Sequence, residues 1–221
     1  AVRSHVSLAQ IHAQPEVRLS IAQDTHVYFD LAETYLSPPR PQLIAVGGLS
    51  GTGKSSLARR LAPAVGAAPG ARIIRTDVIR KQLAQADLHD RLPPECYGPE
   101  MSKPTYRTLD RDARRALSSG HSVVCDAVFA NPEERHQVEA LASEMNVPFT
   151  GFWLEAPESL LVQRVNERTG DVSDATADVV RQQSAYELGP ITWHPVDATQ
   201  NLNAMASQAA EVMAQDDPSR T

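Results

Sequence analysis

A glycine-rich segment of eight residues has the residue types needed to bind phosphate groups. Residues 48–55 read Gly-Leu-Ser-Gly-Thr-Gly-Lys-Ser and match the pattern G-x-x-x-x-G-K-[ST]. Glycines let successive backbone N–H groups turn towards one anion, and a following helix points its positive end at that anion. We therefore predict a triphosphate on this loop, with Lys54 on the outer phosphates and the Ser55 hydroxyl on magnesium. The predicted nucleotide contacts are Gly48, Ser50, Gly51, Thr52, Gly53, Lys54, Ser55 and Ser56.

Asp77 is a candidate general base. It follows a predicted strand over residues 72–76, and ligands approach parallel sheets at the carboxyl ends of their strands. A carboxylate there can take the proton of an attacking hydroxyl, and Arg80, one helical turn later, can hold the acceptor. An aspartate at the start of a helix is equally typical of an N-cap, so that alternative stays open.

A second acid closes the next predicted strand. The segment Val123-Val124-Cys125-Asp126 is an apolar run that ends in a carboxylate. A carboxylate at this point can orient magnesium beside the phosphate loop, so Asp126 joins Ser55 as a predicted metal ligand. The alternative is an ordinary turn, because aspartate is common where strands end.

Two arginines four residues apart share one face of a predicted helix. Arg164 and Arg168 lie just before a loop rich in glycine and aspartate, an arrangement that suits a mobile lid. Closing such a lid would bring guanidinium groups to the charge that develops on a transferred phosphoryl group. The alternative is a solvated face whose arginines pair weakly with Glu158 or Glu167.

Strands and helices alternate from Leu43 onward, which predicts an α/β fold with three layers and a parallel sheet. The predicted strands cover residues 43–47, 72–76, 122–126 and 149–154, with a short one near Val196. Predicted helices include one from Lys54, one over 78–83 and a long one over 105–118.

The first 41 residues have a different character. They hold a helical pattern that ends in the sequence Ser-Pro-Pro-Arg-Pro over residues 37–41, and such a proline cluster is typical of a stiff linker. We predict a helical appendage and linker over residues 1–41, then one nucleotide-binding domain over 42–221 with its lid near 164–182.

Composition narrows the function classes. A formal net charge of −6 disfavours nonspecific binding to nucleic acids or membrane surfaces, since both depend on excess lysine and arginine. The two cysteines are too few for a secreted disulfide framework, and no apolar run is long enough to span a bilayer. These features predict a cytoplasmic protein without a membrane segment.

Four motifs together resemble a known family. They are the phosphate loop, the Thr-Asp-Val-Ile-Arg-Lys run over 76–81, the Asp-Ala-Val-Phe strand end over 126–129, and Gly-Asp-Val-Ser-Asp-Ala over 170–175. They resemble the AAA-type P-loop kinases related to gluconate kinases, zeta toxins and polynucleotide 5′-hydroxyl kinases. The resemblance implies a five-stranded sheet of order 2-3-1-4-5, a helical lid, and ATP and Mg²⁺ as cofactors. It is strongest to the ATP-binding module joined to aminoglycoside-phosphotransferase-like domains, which implies such a partner domain.

Three functional hypotheses follow. The leading one is transfer of the γ-phosphoryl group of ATP to a hydroxyl of a small molecule, with Asp77 as the base and Lys54, Arg164 and Arg168 on the phosphates. The second is a regulatory ATP-binding module that controls a fused or partner domain. The third, which the net charge of −6 disfavours, is a kinase acting on nucleic-acid 5′-hydroxyl ends.

Overall fold

The computed structural model describes residues 2–6, 18–167 and 172–216, and the chain divides into two compact units, 1–39 and 40–221. In the first unit residues 2–6 are helical and helix α1 covers Arg18–Leu36. The Arg3 guanidinium lies over the Tyr28 ring, 5.7 Å from its centroid. No helix in the described ranges is both long enough and apolar enough to cross a membrane.

The second unit is built on a parallel sheet of five strands in the order β2-β3-β1-β4-β5, which confirms the predicted fold class and strand order. The strands are β1 (Leu43–Gly48), β2 (Arg72–Arg75), β3 (Val123–Asp126), β4 (Phe149–Glu155) and β5 (His194–Asp197). The helices are α2 (Lys54–Leu61), α3 (Thr76–Leu83), α4 (Pro99–Ser118), α5 (Pro132–Glu144), α6 (Glu158–Glu167), α7 (Ala177–Ser184) and α8 (Leu202–Gln215). Short 3₁₀ turns cover Ala62–Ala64 and Pro94–Tyr97.

The central strand is apolar on both faces because helices cover both sides of the sheet. Leu43 and Ala45 of β1 face one apolar cluster, and Ile44 and Val46 face another. The first cluster takes in Leu109 and Leu117 of α4 and Leu141 of α5, whereas the second takes in Leu57 of α2 and Met205 of α8. The sheet is therefore the middle of three layers, and its strand ends are the part left open to ligands.

Two helix starts differ from the sequence prediction. Helix α4 begins at Pro99, six residues before the predicted start at 105, and contains Pro104. Pro99 suits the first helical position, where no partner for a backbone N–H is needed, and Pro104 lies near enough to that end for the helix to continue through it. Helix α3 begins at Thr76, so Asp77 lies in its first turn.

Cys125 lies in the buried centre of β3 and is fully covered. Burial, reinforced by the negative charges of Asp126 and Asp110, raises the pKa of the Cys125 thiol to about 12. At neutral pH this thiol is protonated and acts as a small apolar side chain.

Two strand glycines make room for one indole ring. A Cβ on Gly151 of β4 would lie 2.6 Å from Trp193 Cδ2, and one on Gly47 of β1 would lie 2.9 Å from Trp193 Cζ3. The ring cannot easily move away, because Trp193 Nε1 donates a hydrogen bond of 2.7 Å to Glu139 and Phe129 packs edge-on against it at 5.1 Å. Glycine at these positions is thus a packing requirement.

We expect Gly151→Ala to lower the free energy of unfolding by about 1–3 kcal/mol, because the added methyl group overpacks the core against Trp193. Denaturant unfolding followed by circular dichroism measures the change. The matched control is Gly98→Ala, where φ is −72° and the nearest neighbour of a Cβ, Glu95 O, is 3.4 Å away. Equal losses of stability in the two variants would contradict this account.

Candidate active site

The phosphate loop connects β1 to α2 and owes its shape to glycines. Gly51 and Gly53 have φ values of +86° and +92°, which side-chain-bearing residues rarely adopt. A Cβ on Gly51 would also lie 2.8 Å from the carbonyl oxygen of Leu161, so α6 packs directly against the loop. Gly53 occupies the N-cap position of α2. The loop therefore presents its backbone and the positive end of α2 to one cavity.

One cavity unites most of the predicted site. It is lined by Ser50, Gly51, Gly53, Lys54, Ser55, Ser56, Thr76, Asp77, Asp126, Ala127, Val128, Arg164 and Ser173. The predicted residues that do not line it are Gly48, Thr52 and Arg80, while Arg168 lies outside the described residues. Phosphate-binding groups, both candidate carboxylates and one lid arginine thus face the same space.

Gly48 and Thr52 act within the loop. The Gly48 amide donates to Val128 O at 3.2 Å, and the buried Thr52 hydroxyl donates to Leu49 O at 2.8 Å. Lys54 Nζ donates to the same carbonyl at 2.9 Å while its side chain lines the cavity. These bonds hold the loop in its curved form.

Arg75, which the sequence analysis missed, donates hydrogen bonds to both Asp126 and Ser55. Arg75 Nε donates to Asp126 Oδ2 at 3.0 Å, and Arg75 Nη2 donates to Ser55 Oγ at 2.9 Å. Burial raises the pKa of Asp126, although the positive charges of Lys54 and Arg75 and a hydrogen bond from Ser55 oppose that rise. Asp126 is 4% exposed, so its carboxylate depends on cationic neighbours. The sequence predicted that Asp126 lies at a strand end but did not predict that it pairs with Arg75.

The Ser55 hydroxyl and the Asp126 carboxylate are also suitable oxygen ligands for magnesium. Mg²⁺ prefers hard oxygen ligands and commonly uses one or two protein groups, with water and substrate phosphates completing its shell. Ser55 Oγ and the Asp126 carboxylate are close enough to share Arg75, so one cation can reach both. Within the described ranges no group of three or more His, Cys, Asp or Glu side chains is arranged to hold a metal.

Asp77 faces the cavity from the first turn of α3. The N-cap interpretation is wrong, because the N-cap position is Arg75 and the helix has no side-chain cap. In this first turn the carboxylate lies near the positive end of the helix dipole. Asp77 also lies close enough to Asp126 for its negative charge to act on that carboxyl group.

Arg80, one helical turn after Asp77, is buried and does not line the cavity. It is 8% exposed, its Nη1 donates to Cys96 O at 2.9 Å, and its guanidinium lies 5.0 Å from the centroid of the Tyr97 ring. Its buried Nε has no hydrogen-bond partner among the described residues. Arg80 is therefore a buried cation with one donor unused.

The described residues of the predicted lid segment contact the phosphate loop and line its cavity. Arg164 of α6 lines the cavity, as does Ser173 in the loop that precedes α7. Gln183 of α7 accepts a hydrogen bond of 2.8 Å from the Ser50 backbone amide. Arg181 instead pairs with Asp178 at 2.7 Å on an exposed face. Sequence analysis missed Gln183, because no local pattern marks a contact made 133 residues away.

Comparison with known proteins places the chain in a family. The family described as AAA domain (AAA_33) matches residues 43–188. An uncharacterized protein of Mycobacterium tuberculosis (strain ATCC 25618 / H37Rv) is 30% identical over 195 residues, which are 86% of this chain and 38% of that protein. The chain thus spans well under half the length of this relative. An adenylyl-sulfate kinase of Myxococcus xanthus (strain DK1622) is 27% identical over 117 residues, 53% of this chain and 59% of that enzyme.

Solved structures share the fold. A gluconokinase from Sinorhizobium meliloti 1021 superposes with a TM-score of 0.55 at 23% identity, covering 80% of this chain and 93% of that one. The Mycobacterium tuberculosis APS kinase CysC in complex with AMPPNP and APS superposes with a TM-score of 0.57 at 19% identity, covering 80% and 99%. With its phosphate loop, strand order and matching family, this chain belongs to the AAA domain family and has the fold of the P-loop kinases.

Proposed function

We propose that the chain is an ATP-dependent kinase that transfers the γ-phosphoryl group to a hydroxyl of a small molecule. The observation that carries the proposal is that the Asp77 carboxylate lines the same cavity as Lys54 and Ser55 of the phosphate loop. A loop alone serves ATPases and kinases equally, whereas a carboxylate opposite it supplies a base for an attacking hydroxyl.

Each protein group has a distinct part in the transfer. Asp77 accepts the proton of the acceptor hydroxyl as the acceptor oxygen bonds to the γ-phosphorus, and the bond from that phosphorus to the bridging oxygen of ADP breaks. Lys54 and Arg164 hold the phosphates and offset the charge that develops on them. Arg168 is proposed to join them from the same helix face. Ser55 and Asp126 would hold magnesium, which would supply positive charge to offset that of the phosphates.

The groups around Arg80, the residue proposed to hold the acceptor, are polar, which favours a hydroxylated small molecule. Arg80 has an unused donor, and its charge acts on Tyr106 and Glu134. Burial raises the pKa of Glu134, while a hydrogen bond from Tyr106 opposes that rise. Two of the similar proteins named above are a gluconokinase and an adenylyl-sulfate kinase, and the substrates in their names are small molecules. A net charge of −6 also disfavours a nucleic-acid acceptor.

A regulatory ATP-binding module is the second candidate. It is supported by the length of the mycobacterial relative, of which this chain covers 38%, so the domain works within a longer protein there. A fused aminoglycoside-phosphotransferase-like domain is proposed on the resemblance alone. The two candidates differ in outcome: a module binds MgATP without transferring phosphate to any acceptor in a panel of sugars, amino sugars, nucleosides and 5′-hydroxyl oligonucleotides.

Replacing Lys54 with methionine should weaken binding of Mg-AMPPNP by about tenfold or more, since it removes a charge-assisted hydrogen bond to the outer phosphates. Isothermal titration calorimetry measures the affinity. Arg59→Met is the matched control, because Arg59 is an exposed cation on the same helix. A similar loss of affinity in both variants would show that overall charge, and not the loop, holds the nucleotide.

Asp77→Asn should retain Mg-AMPPNP affinity within about twofold yet lower phosphoryl transfer by roughly 10²–10⁴-fold, because the amide cannot accept the proton. The measurement is product formation with the best acceptor from the panel. Asp178→Asn serves as the control, since Asp178 is an exposed lid carboxylate, 92% accessible, that pairs with Arg181. Full activity in Asp77→Asn would rule out Asp77 as the base.

A further inference from the structure

One carboxylate of the predicted lid segment is bound by helix α3 and by the segment over residues 88–97, which we propose receives the acceptor. Asp174 Oδ1 accepts from Lys81 Nζ at 3.0 Å, and Asp174 Oδ2 accepts from the Leu92 amide at 3.1 Å and the Tyr97 hydroxyl at 2.7 Å. These three donors lie 77 to 93 residues away in sequence. Asp174 therefore joins the loop before α7 to the segment over residues 88–97.

The contact is charged and well buried on both sides. Lys81 is 1% exposed and also donates to Leu88 O at 2.9 Å, while the Asp174 side chain is 10% exposed. Although burial favours the neutral acid, hydrogen bonds from Tyr97, the Leu92 amide and Lys81 hold the pKa of Asp174 below its ordinary value. Asp174 is thus ionised at neutral pH, and the buried Lys81 ammonium has its counter-charge in the lid.

Tyr97 in turn contacts Arg80. The Arg80 guanidinium lies 5.0 Å from the centroid of the Tyr97 ring, and the Cys96 carbonyl accepts a hydrogen bond of 2.9 Å from Arg80 Nη1. Asp174 therefore binds the hydroxyl of the tyrosine whose ring lies against the Arg80 guanidinium. Burial, followed by the hydrogen bond to Asp174 and its negative charge, raises the pKa of Tyr97, which keeps that hydroxyl a donor.

Other residues of the same segment contact the phosphate loop and line its cavity. Ser173, the neighbour of Asp174, lines the phosphate cavity together with Arg164. Gln183, nine residues after Asp174, accepts from the Ser50 amide of the phosphate loop. One short stretch of chain therefore touches the phosphate loop and the acceptor segment at once.

We infer that Asp174 is a positioning residue that couples nucleotide binding to the ordering of the acceptor segment 88–97, and through Tyr97 to the orientation of Arg80. The inference rests on the proposed kinase function and concerns the regulation of that same site. Nucleotide held under the lid stabilises Asp174 in place, and Asp174 then holds residues 88–97 in the form that receives an acceptor. Without the Asp174 contacts, ATP can bind while residues 88–97 are not in the form that receives an acceptor.

Amide hydrogen exchange of the whole chain, with and without Mg-AMPPNP, tests the coupling, because the Leu92 amide is itself a donor to Asp174. In the native protein we expect nucleotide to slow exchange over residues 88–97. In Asp174→Asn we expect exchange there to be roughly tenfold faster, with no slowing on addition of nucleotide. Tyr97→Phe, which keeps the ring under Arg80, should show a smaller loss, and Asp178→Asn should behave as the native protein.

Steady-state kinetics supply a readout that a purely structural role would not change. For Asp174→Asn we expect the KM for the acceptor to rise about tenfold and the share of ATP hydrolysed without transfer to increase, while Mg-AMPPNP affinity falls by no more than about the same factor, because the coupling is reciprocal. Unaltered exchange over 88–97 in both Asp174→Asn and Tyr97→Phe, with nucleotide bound normally, would overturn the coupling alone. Failure of the native chain to bind Mg-AMPPNP would overturn the proposed function and this inference with it.

Discussion

The site depends on the register of three parallel strands. Val46 of β1 lies opposite Asp126 of β3, and Asp126 lies opposite Arg75 of β2. This register places the end of each strand at one edge, where β1 leads into the phosphate loop, β2 into the helix that carries Asp77, and β3 into a buried carboxylate. A slip of one residue would move Arg75 and Asp126 to the other face of the sheet, so their pairing at this edge depends on the register.

The balance of charge at this edge explains why both signs are present. Lys54, Arg75 and Arg164 are cations, and Asp77 and Asp126 are anions, all gathered around one cavity or in contact with its walls. In the proposed reaction a triphosphate would bring more negative charge than these cations offset, and a divalent ion beside the Asp126 carboxylate would balance part of it.

Much of the fold and part of the site could be predicted from sequence, for local reasons. The phosphate loop is a contiguous motif, and Asp77 and Asp126 follow apolar strands, so their shared edge follows from parallel topology. Arg75, Lys81 and Gln183 escaped prediction because their partners lie 20 to 133 residues away and no spacing rule marks them. The start of α4 was misplaced because Pro104 is typical of a helix boundary but is tolerated here near the amino end. Arg168 stays a prediction, since it lies outside the described residues.

The chain has two cysteines, and their settings differ in a way that is useful. Cys125 is sealed in the sheet with a thiol that stays protonated, whereas Cys96 is half-buried on the 3₁₀ turn Pro94–Tyr97, beside the tyrosine that supports Arg80. Thiol-directed dyes or spin labels will therefore react selectively at Cys96. The sequence consequently contains its own attachment point for a spectroscopic reporter, next to Tyr97 and the carbonyl that binds Arg80.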